Sequence, residues 1–492
     1  MEAAEVDRAN HVRSWAAGQR CASEWMPWLV LMMVVVLSEV PHWWTLPYGD
    51  SLGYLYHGAH LLMDNPARFW HVLDYTAAEH PPLIQWLTAI SWKVFGIGPV
   101  GPHVVSTVIA LVVVSGTFRL ARTFRGSWDA FVPACCLALN PLFVSQAANP
   151  YLELAAGAGL VWTVWAFLES RWTLFALSAC FMVLAKETTA PFLVIVLLSA
   201  VAIPYYRKTG RLRSALRPVI PAFIMLALWM AIIRLYTGGW MAAAVSAAST
   251  NGSIPPSAYQ FFRKLVLGPV FMAVSGLWVL AAAVLLRPHK AVAECSAVCS
   301  EPRRAAAVTL LVMLTAVSIF LHAAISIQLT RYYVPVLALA YVLLWVGSPL
   351  GRHSRWVLLA CHGVFAAFVL FHPIRYLNAE DGLGWVRCTH GHVQFDRELT
   401  RLVRETPGSI SAPYPIADQL TSPYLGYVTD PLELTDTMAK NRQASVLEQS
   451  RVRWVVETRN SPAIRLDPGY RWTAVTRSSC LDATLFRGER LF

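Results

Sequence analysis

Charge is what this sequence has least of. Only 14% of its 492 residues are Asp, Glu, Lys or Arg, against roughly 25% in soluble domains. With 56% hydrophobic residues and a mean hydropathy of +0.47, that deficit argues against a water-soluble chain and for a polytopic helical membrane protein. Acidic residues are scarcer than basic ones, 29 against 40, for a net charge of +11. The surplus does not point to nucleic acid. The basic residues sit in short loops between apolar runs, where topogenic charge accounts for them. Nucleotide and hydrolase signatures are missing too. There is no G-x-x-x-x-G-K-[ST], no G-x-G-x-x-G after a strand and no G-x-S-x-G. Nothing implies ATP, NAD or a serine nucleophile, so an enzyme built on this chain would use a donor that is already activated. Internal repeats and low-complexity tracts are also lacking. Metal-type cysteine spacing is absent: Cys295 and Cys299 have no partners at zinc spacing, and Cys388, His390, His392 and Asp396 match no zinc pattern. Cys135, Cys136, Cys180 and Cys361 lie in apolar runs and read as core residues. Cys388 and Cys480 bracket a polar tail and can pair if that tail faces an oxidising compartment.

What the chain does have is apolar runs near the roughly 20 residues a span needs. They fall at 25–46, 100–121, 128–148, 152–168, 172–187, 189–206, 218–236, 264–286, 305–327, 333–348 and 356–374, eleven in all. Residues 1–24 carry Arg8, Arg13 and Arg20 and read as a cytoplasmic N-terminus before an uncleaved signal anchor. A further run, 83–97, is too short to cross. If it stays on the outer side, the clusters at 119–125, Arg171, 207–217, 287–304 and 352–355 all fall inside; if it crosses, they fall outside. It therefore reads as an interfacial helix, with Leu83, Trp86, Leu87, Ile90 and Val94 on one face. Residues 51–63 repeat the helical pattern through Leu52, Leu55, Tyr56, Ala59, Leu62 and Met63, and Pro66 ends it. The expected architecture is an α-helical polytopic membrane protein of about 11 spans plus two outer interfacial helices, covering 25–376 with a first outer loop at 47–99. A small outer α/β domain, 377–492, closes the chain. Its strand-like runs lie at 409–412, 424–428, 451–458, 471–477 and 481–487, with a helical stretch near 394–405.

This topology sends Asp50, Glu79, His80, Glu153, Lys186, Glu187, Arg234 and Arg331 to the outer ends of spans or to outer loops. Ionisable groups gathered at one depth suit a site better than a conduction path, which needs them at several depths. Each residue also has a plainer reading. Asp50 is a helix N-cap or a general base, and the two are compatible. Glu79 and His80, on the rigid turn before Pro81 and Pro82, are a polar anchor, or bind a phosphate or a divalent metal. Glu153, in ANPYLELAAGAG, is a dipole-favoured first-turn acid or part of the site; Glu39 ranks below it. Lys186, in VLAKETTAPFL, and Arg331, in QLTRYYVPVLAL, are snorkelling cations or holders of a lipid phosphate. His322 reads as a packing residue. The Ser/Gly/Pro-rich loop 237–262 has the composition of a lid.

Taken together, GDSLGYLYHGAHLL, EHPPL, NPYLE, AKETTAPFL and RYYVP, in that order, resemble the GT-C glycosyltransferases that use polyprenyl-phosphate sugars, of the protein O-mannosyltransferase and lipid A aminoarabinose transferase type. The resemblance covers about residues 25–375. It implies an inverting sugar transfer at the outer membrane face, in a cell envelope such as the bacterial inner membrane. Asp50 would be the base and Glu153 the second acid. Tyr54, Glu79, His80, Lys186, Arg331 and Tyr332 would hold the donor phosphate. The partners implied are a polyprenyl-phosphate sugar donor, a glycan, lipid or protein acceptor, and membrane lipids. Two departures stand out: Asp50 is followed by Ser51 where relatives often have Glu, and His80 stands where relatives often have Lys. Relatives can carry a metal near this point with a His from a later outer loop. Loop 237–262 has no His, which leaves a metal at Glu79 and His80 open. Two other readings compete: a transporter or flippase, expected to show mid-membrane charge and a repeat, and a silent scaffold binding a polyprenyl lipid.

Overall fold

The computed structural model describes residues 25–71 other than 45 and 47–54, residues 80–237 other than 149 and 150, residue 293, residues 296–347 other than 325–329, and scattered residues from 356 to 490. Asp50, Tyr54, Glu79, nearly all of loop 237–262, the 264–286 run, Cys295, Cys388, His390, His392, Asp396 and Cys480 lie outside the described residues, as does the His322 side chain.

The first helix, α1 (Trp25–His42), exposes Leu29, Met33 and Leu37 and buries Leu31 and Val35. An apolar outer face at helical spacing suits lipid rather than water. Trp28 and Trp43 donate indole hydrogen bonds to Ser115 and Thr107, at 3.2 and 3.0 Å, and so tie α1 to the long helix α4 (Val100–Arg122). Between them lie two shorter helices. In α2 (His57–Asp64) and the turn before it, Leu55, Tyr56, Ala59 and Leu62 are buried, as their spacing predicts. It stops ahead of Pro66, which opens a 3-10 turn, Pro66–His71.

Helix α3 (Leu83–Phe95) starts after the Pro81-Pro82 step, where the second interfacial helix is expected. Its 13 residues give a length of about 20 Å. It ends at Gly96, whose φ of +81° favours a residue without Cβ. Of the expected stripe, Leu83, Trp86 and Leu87 pack part-buried against the core, whereas Ile90 and Val94 are exposed; Ile84, Gln85, Thr88, Ala89, Ser91 and Trp92 are buried. Trp92 meets the Tyr56 ring edge-on, at 5.4 Å between centroids. Exposed Ile90 and Val94 opposite a face packed on protein suit an element lying against lipid.

The next expected span is broken. Helices α5 (Ser127–Ala138) and α6 (Pro141–Ala147) meet at a 69° bend. Asn140 makes the break: its side-chain oxygen accepts from the Leu142 and Phe143 amides, and Pro141 cannot donate to the preceding turn. Helices α7 (Leu152–Leu168), α8 (Trp172–Ala185), α9 (Ala190–Ala202), α10 (Pro204–Lys208), α11 (Arg211–Thr237), α12 (Pro302–Ala324) and α13 (Val334–Val346) follow.

The expected spans differ in length where the structure describes them. Among the described residues four helices, within α1, α4, α11 and α12, are long and apolar enough to cross a membrane, or five if the bent pair counts as one. Helices α7, α8, α9 and α13 are apolar but have only 13 to 17 residues. Their ends come together: one polar turn at 186–189 ends α8 and leads into α9, and α7 and α13 start beside it.

Helix α7 is the hub, and its small residues are the reason. A Cβ on Gly159 would lie 2.5 Å from the Cβ of Met182 on α8, one on Gly157 would lie 3.3 Å from Pro335 Cα on α13, and one on Gly116 of α4 would lie 2.6 Å from Val161. Glycine lets these backbones approach, the usual device for helix association in lipid. At the other end of α7, Arg211 donates to the carbonyls of Phe167 and Leu168, and Arg303 pairs with Glu169 at 2.6 Å.

Near the C-terminus five strands form one sheet in the order β2-β1-β3-β5-β4, with β1 Ser409–Ala412, β2 Leu434–Thr437, β3 Val452–Thr458, β4 Tyr470–Ser478 and β5 Ala483–Arg490. β1 runs parallel to β2 and β3, and β5 antiparallel to β3 and β4. Four of the five expected strand runs overlap these strands. The run at 424–428 does not: Pro423–Leu425 is a 3-10 turn, as suits a proline that cannot donate to a ladder. The strand at 434–437 has no clear alternation and escapes a pattern-based reading.

Replacing Gly159 by Ala should lower the thermal midpoint of detergent-purified protein by several degrees, the overpacking cost being about 1–3 kcal/mol. Gly98→Ala, where a Cβ meets nothing within 4 Å, is the control and should leave the midpoint unchanged. Equal midpoints for the two variants would show that α7 and α8 are not in contact there.

Candidate functional site at the ends of four short helices

Glu153 is in the first turn of α7, where its charge is favoured by the helix dipole. It is buried, with a side chain 6% exposed. Isolated carboxylates are too costly to bury without a partner, and Glu153 has two cations. Lys186 Nζ donates to its Oε1 at 2.7 Å, and Arg331 Nε lies 3.5 Å from the same oxygen. Neither cation is near Glu153 in sequence.

Lys186 sits at the end of α8 in an extended conformation, φ −160° and ψ 112°. A 3-10 turn, Glu187–Thr189, then leads into α9. Thr189 Oγ1 donates to the Lys186 carbonyl at 2.7 Å and so closes the turn. Arg331 comes from another 3-10 turn, Thr330–Tyr333, which starts α13. Aromatic rings wall the cations. Lys186 Nζ is 4.6 Å from the centroid of the Tyr332 ring; the Arg331 guanidinium carbon is 5.0 Å from that of Tyr151 and 5.8 Å from that of Tyr332. Such contacts favour a cation where water is scarce.

His80 joins from the turn before α3. Its Nδ1 lies 2.8 Å from Glu187 Oε2 and 3.0 Å from Oε1, with side chains 20% and 14% exposed. The turn at 186–187 therefore serves two partners, with Lys186 reaching Glu153 and Glu187 reaching His80.

Of the residues singled out in the sequence, the structure brings together His80, Glu153, Lys186, Arg331 and Tyr332. Asp50, Tyr54 and Glu79 lie outside the described residues. Arg234 is exposed near the end of α11, and Glu39 is buried at the end of α1. The sequence reading missed two participants. Tyr151 stands in the same NPYLE motif as Glu153, and Glu187, placed on the outer face without a role, is the partner of His80. Only the aromatic beside the acid, and the acid beside the lysine, hinted at either.

Chemically, the described cluster balances two carboxylates against two fixed cations. Lys carries three donors and Arg five, more than one carboxylate oxygen accepts. A second oxyanion, such as a phosphate, finds matching donors here. For a metal the described donors are fewer: no three His, Cys, Asp or Glu side chains gather among the described residues. His80 and Glu187 face each other, so the open expectation of a divalent ion at Glu79 and His80 gains no ligand set from them.

Residues 79–236 match the family model described as dolichyl-phosphate-mannose-protein mannosyltransferase. No curated protein sequence matches the chain. Among solved structures, ArnT from Cupriavidus metallidurans in the apo state is similar over 95% of this chain and 98% of its own, with a TM-score of 0.58 and 14% identity. The same protein bound to undecaprenyl phosphate gives 0.58 and 13%, over 93% and 97%. At these identities the likeness is one of fold. The resemblance to GT-C glycosyltransferases read from the motifs is borne out: a mannosyltransferase family model matches the stretch that holds His80, Glu153 and Lys186, and the fold is shared with ArnT over nearly the whole chain. With its exposed apolar helices, the chain is an integral membrane protein of that architecture.

The ion cluster makes an ordered prediction. Glu153→Ala leaves Lys186 and Arg331 facing each other without their carboxylate, and removing one partner of a buried pair costs about 3–5 kcal/mol. Lys186→Ala leaves the Glu153–Arg331 pair intact and should cost less. Thermal midpoints in detergent check this. The reverse order would mean that Glu153 is not what holds the cations together.

Proposed function

We propose that this protein is a membrane glycosyltransferase. It moves a sugar from a polyprenyl-phosphate donor to a hydroxyl or other nucleophile of a glycan, lipid or protein acceptor, at the outer face of a bacterial inner membrane. The observation that carries this reading is the meeting of Lys186 and Arg331 on one buried carboxylate, at the junction of four shortened apolar helices. Cations at such a junction suit a phosphate whose hydrocarbon tail lies in the bilayer. The ArnT structure with undecaprenyl phosphate, similar in fold, makes that lipid the natural first ligand to try.

In this reading the acceptor hydroxyl gives its proton to Asp50. The anomeric carbon exchanges its bond to the phosphate oxygen for one to the acceptor oxygen, through an oxocarbenium-like state and with inversion. Lys186 and Arg331 take up the charge that develops on the departing phosphate. Tyr332 walls the cation pair, Tyr54, Glu79 and His80 border the phosphate, and Glu153 is the second acid, which sets where the cations lie. The sheet near the C-terminus belongs to a domain outside the membrane, 377–492. With loop 237–262 it is where acceptor choice would reside. The residues in the first outer loop, Asp50 and His80 among them, sit on the same side.

Undecaprenyl phosphate should raise the thermal midpoint of the purified protein and undecaprenol should not; a ligand at about 100 times its Kd adds about 2.7 kcal/mol. The lipid-induced shift should vanish in Lys186→Ala and in Arg331→Ala, each compared with its own lipid-free midpoint. A shift that undecaprenol reproduces would remove the phosphate from the argument. Asp50→Asn should abolish transfer while the protein still folds and still binds the lipid; full activity in that variant would take Asp50 out of the mechanism.

A further inference from the structure

His80 sits on the turn before Pro81 and Pro82, and the structure supplies what the sequence does not: a carboxylate partner. We propose that Glu187 is a positioning residue for His80, fixing the imidazole so that its Nε2 is the nitrogen turned to the donor phosphate. The inference rests on the phosphate site proposed above.

The geometry determines which nitrogen is used. A carboxylate only accepts, so the His80 nitrogen at 2.8 and 3.0 Å from the two Glu187 oxygens, Nδ1, carries a hydrogen. With Nδ1 taken, Nε2 is the ring nitrogen left for a ligand. The ring is held from both ends. Its backbone precedes Pro81 and Pro82, both buried, and a following proline restricts the residue before it. Its side chain is held by Glu187.

The extended backbone at Lys186 does the rest. Lys186 and Glu187 are consecutive, so the turn that brings Lys186 to Glu153 also brings Glu187 to His80. One turn thereby sets the His80 ring in register with the cation pair. A lysine at position 80 would need no such partner, because its ammonium presents donors in every direction. An imidazole has only two nitrogens in a fixed plane, and it needs a second group to aim it.

The test is a double-mutant cycle in lipid affinity, using undecaprenyl phosphate and protein in nanodiscs. Glu187→Ala, which removes the acceptor, should weaken binding about tenfold, as loss of an orienting partner does, and His80→Ala should weaken it to a similar extent. In the His80→Ala background, Glu187→Ala should add nothing. Glu187→Gln, whose amide oxygen still accepts from Nδ1, should recover most of the affinity. Lipid-free thermal midpoints show that each variant is folded.

A Glu187→Ala effect of the same size in both backgrounds would make Glu187 a structural anion and overturn the proposal, as would wild-type affinity in Glu187→Ala. Lys186→Ala and Arg331→Ala separate the two levels. If they lose the lipid and Glu187→Ala does not, only the role of Glu187 falls. If they bind as the wild type does, the phosphate site itself falls, and the role of Glu187 with it.

Discussion

A single carboxylate between two cations organises this protein. Glu153 lies at the start of α7, Lys186 at the end of α8 and Arg331 just before α13, and the turn that carries Lys186 also begins α9. Charged groups placed in an apolar bundle need each other, because the bundle offers neither water nor a high dielectric. The pairing therefore constrains where four helices begin or end. It also explains their length: each is cut short so that a polar turn can reach the cluster, leaving helices of 13 to 17 residues where a full crossing needs about 20.

The rest of the fold brings the ends of those helices to one place. Gly157 and Gly159 let α7 approach α13 and α8 closely enough for one acid to meet both cations. Asn140 and Pro141 bend the chain by 69°, and the short α6 then leads it back towards Tyr151 and Glu153. Helix α3 packs against the bundle through Ile84, Ala89 and Trp92, and the Pro-Pro step before it sets His80 beside Glu187. Backbone proximity, a bend and a rigid turn thus converge on one group of charges. In the proposed reaction that group would take the phosphate.

Much of the architecture could be read from the chain itself. The charge deficit and the long apolar runs specified a helical membrane protein, because only helices and closed barrels satisfy the backbone in lipid. Period-3.6 patterning placed α2 and α3, since burial on one face leaves that trace. The motif order led to the GT-C glycosyltransferases, as the family model and the fold bear out. Where the short apolar helices end was not legible. A run such as 172–187 looks continuous in hydropathy, and nothing local says that its last residues leave the helix to form a turn.

The sequence by itself determined which residues were candidates. Ionisable side chains are so rare in apolar surroundings that His80, Glu153, Lys186 and Arg331 stood out by their setting alone. Tertiary structure decided who meets whom. Lys186 finds Glu153, 33 residues away, and His80 finds Glu187, 107 residues away. Such pairings leave no periodic signal, because they depend on how helices pack rather than on spacing along one of them. That is why Glu187, adjacent to a recognised lysine, acquired a role only when the chain was folded.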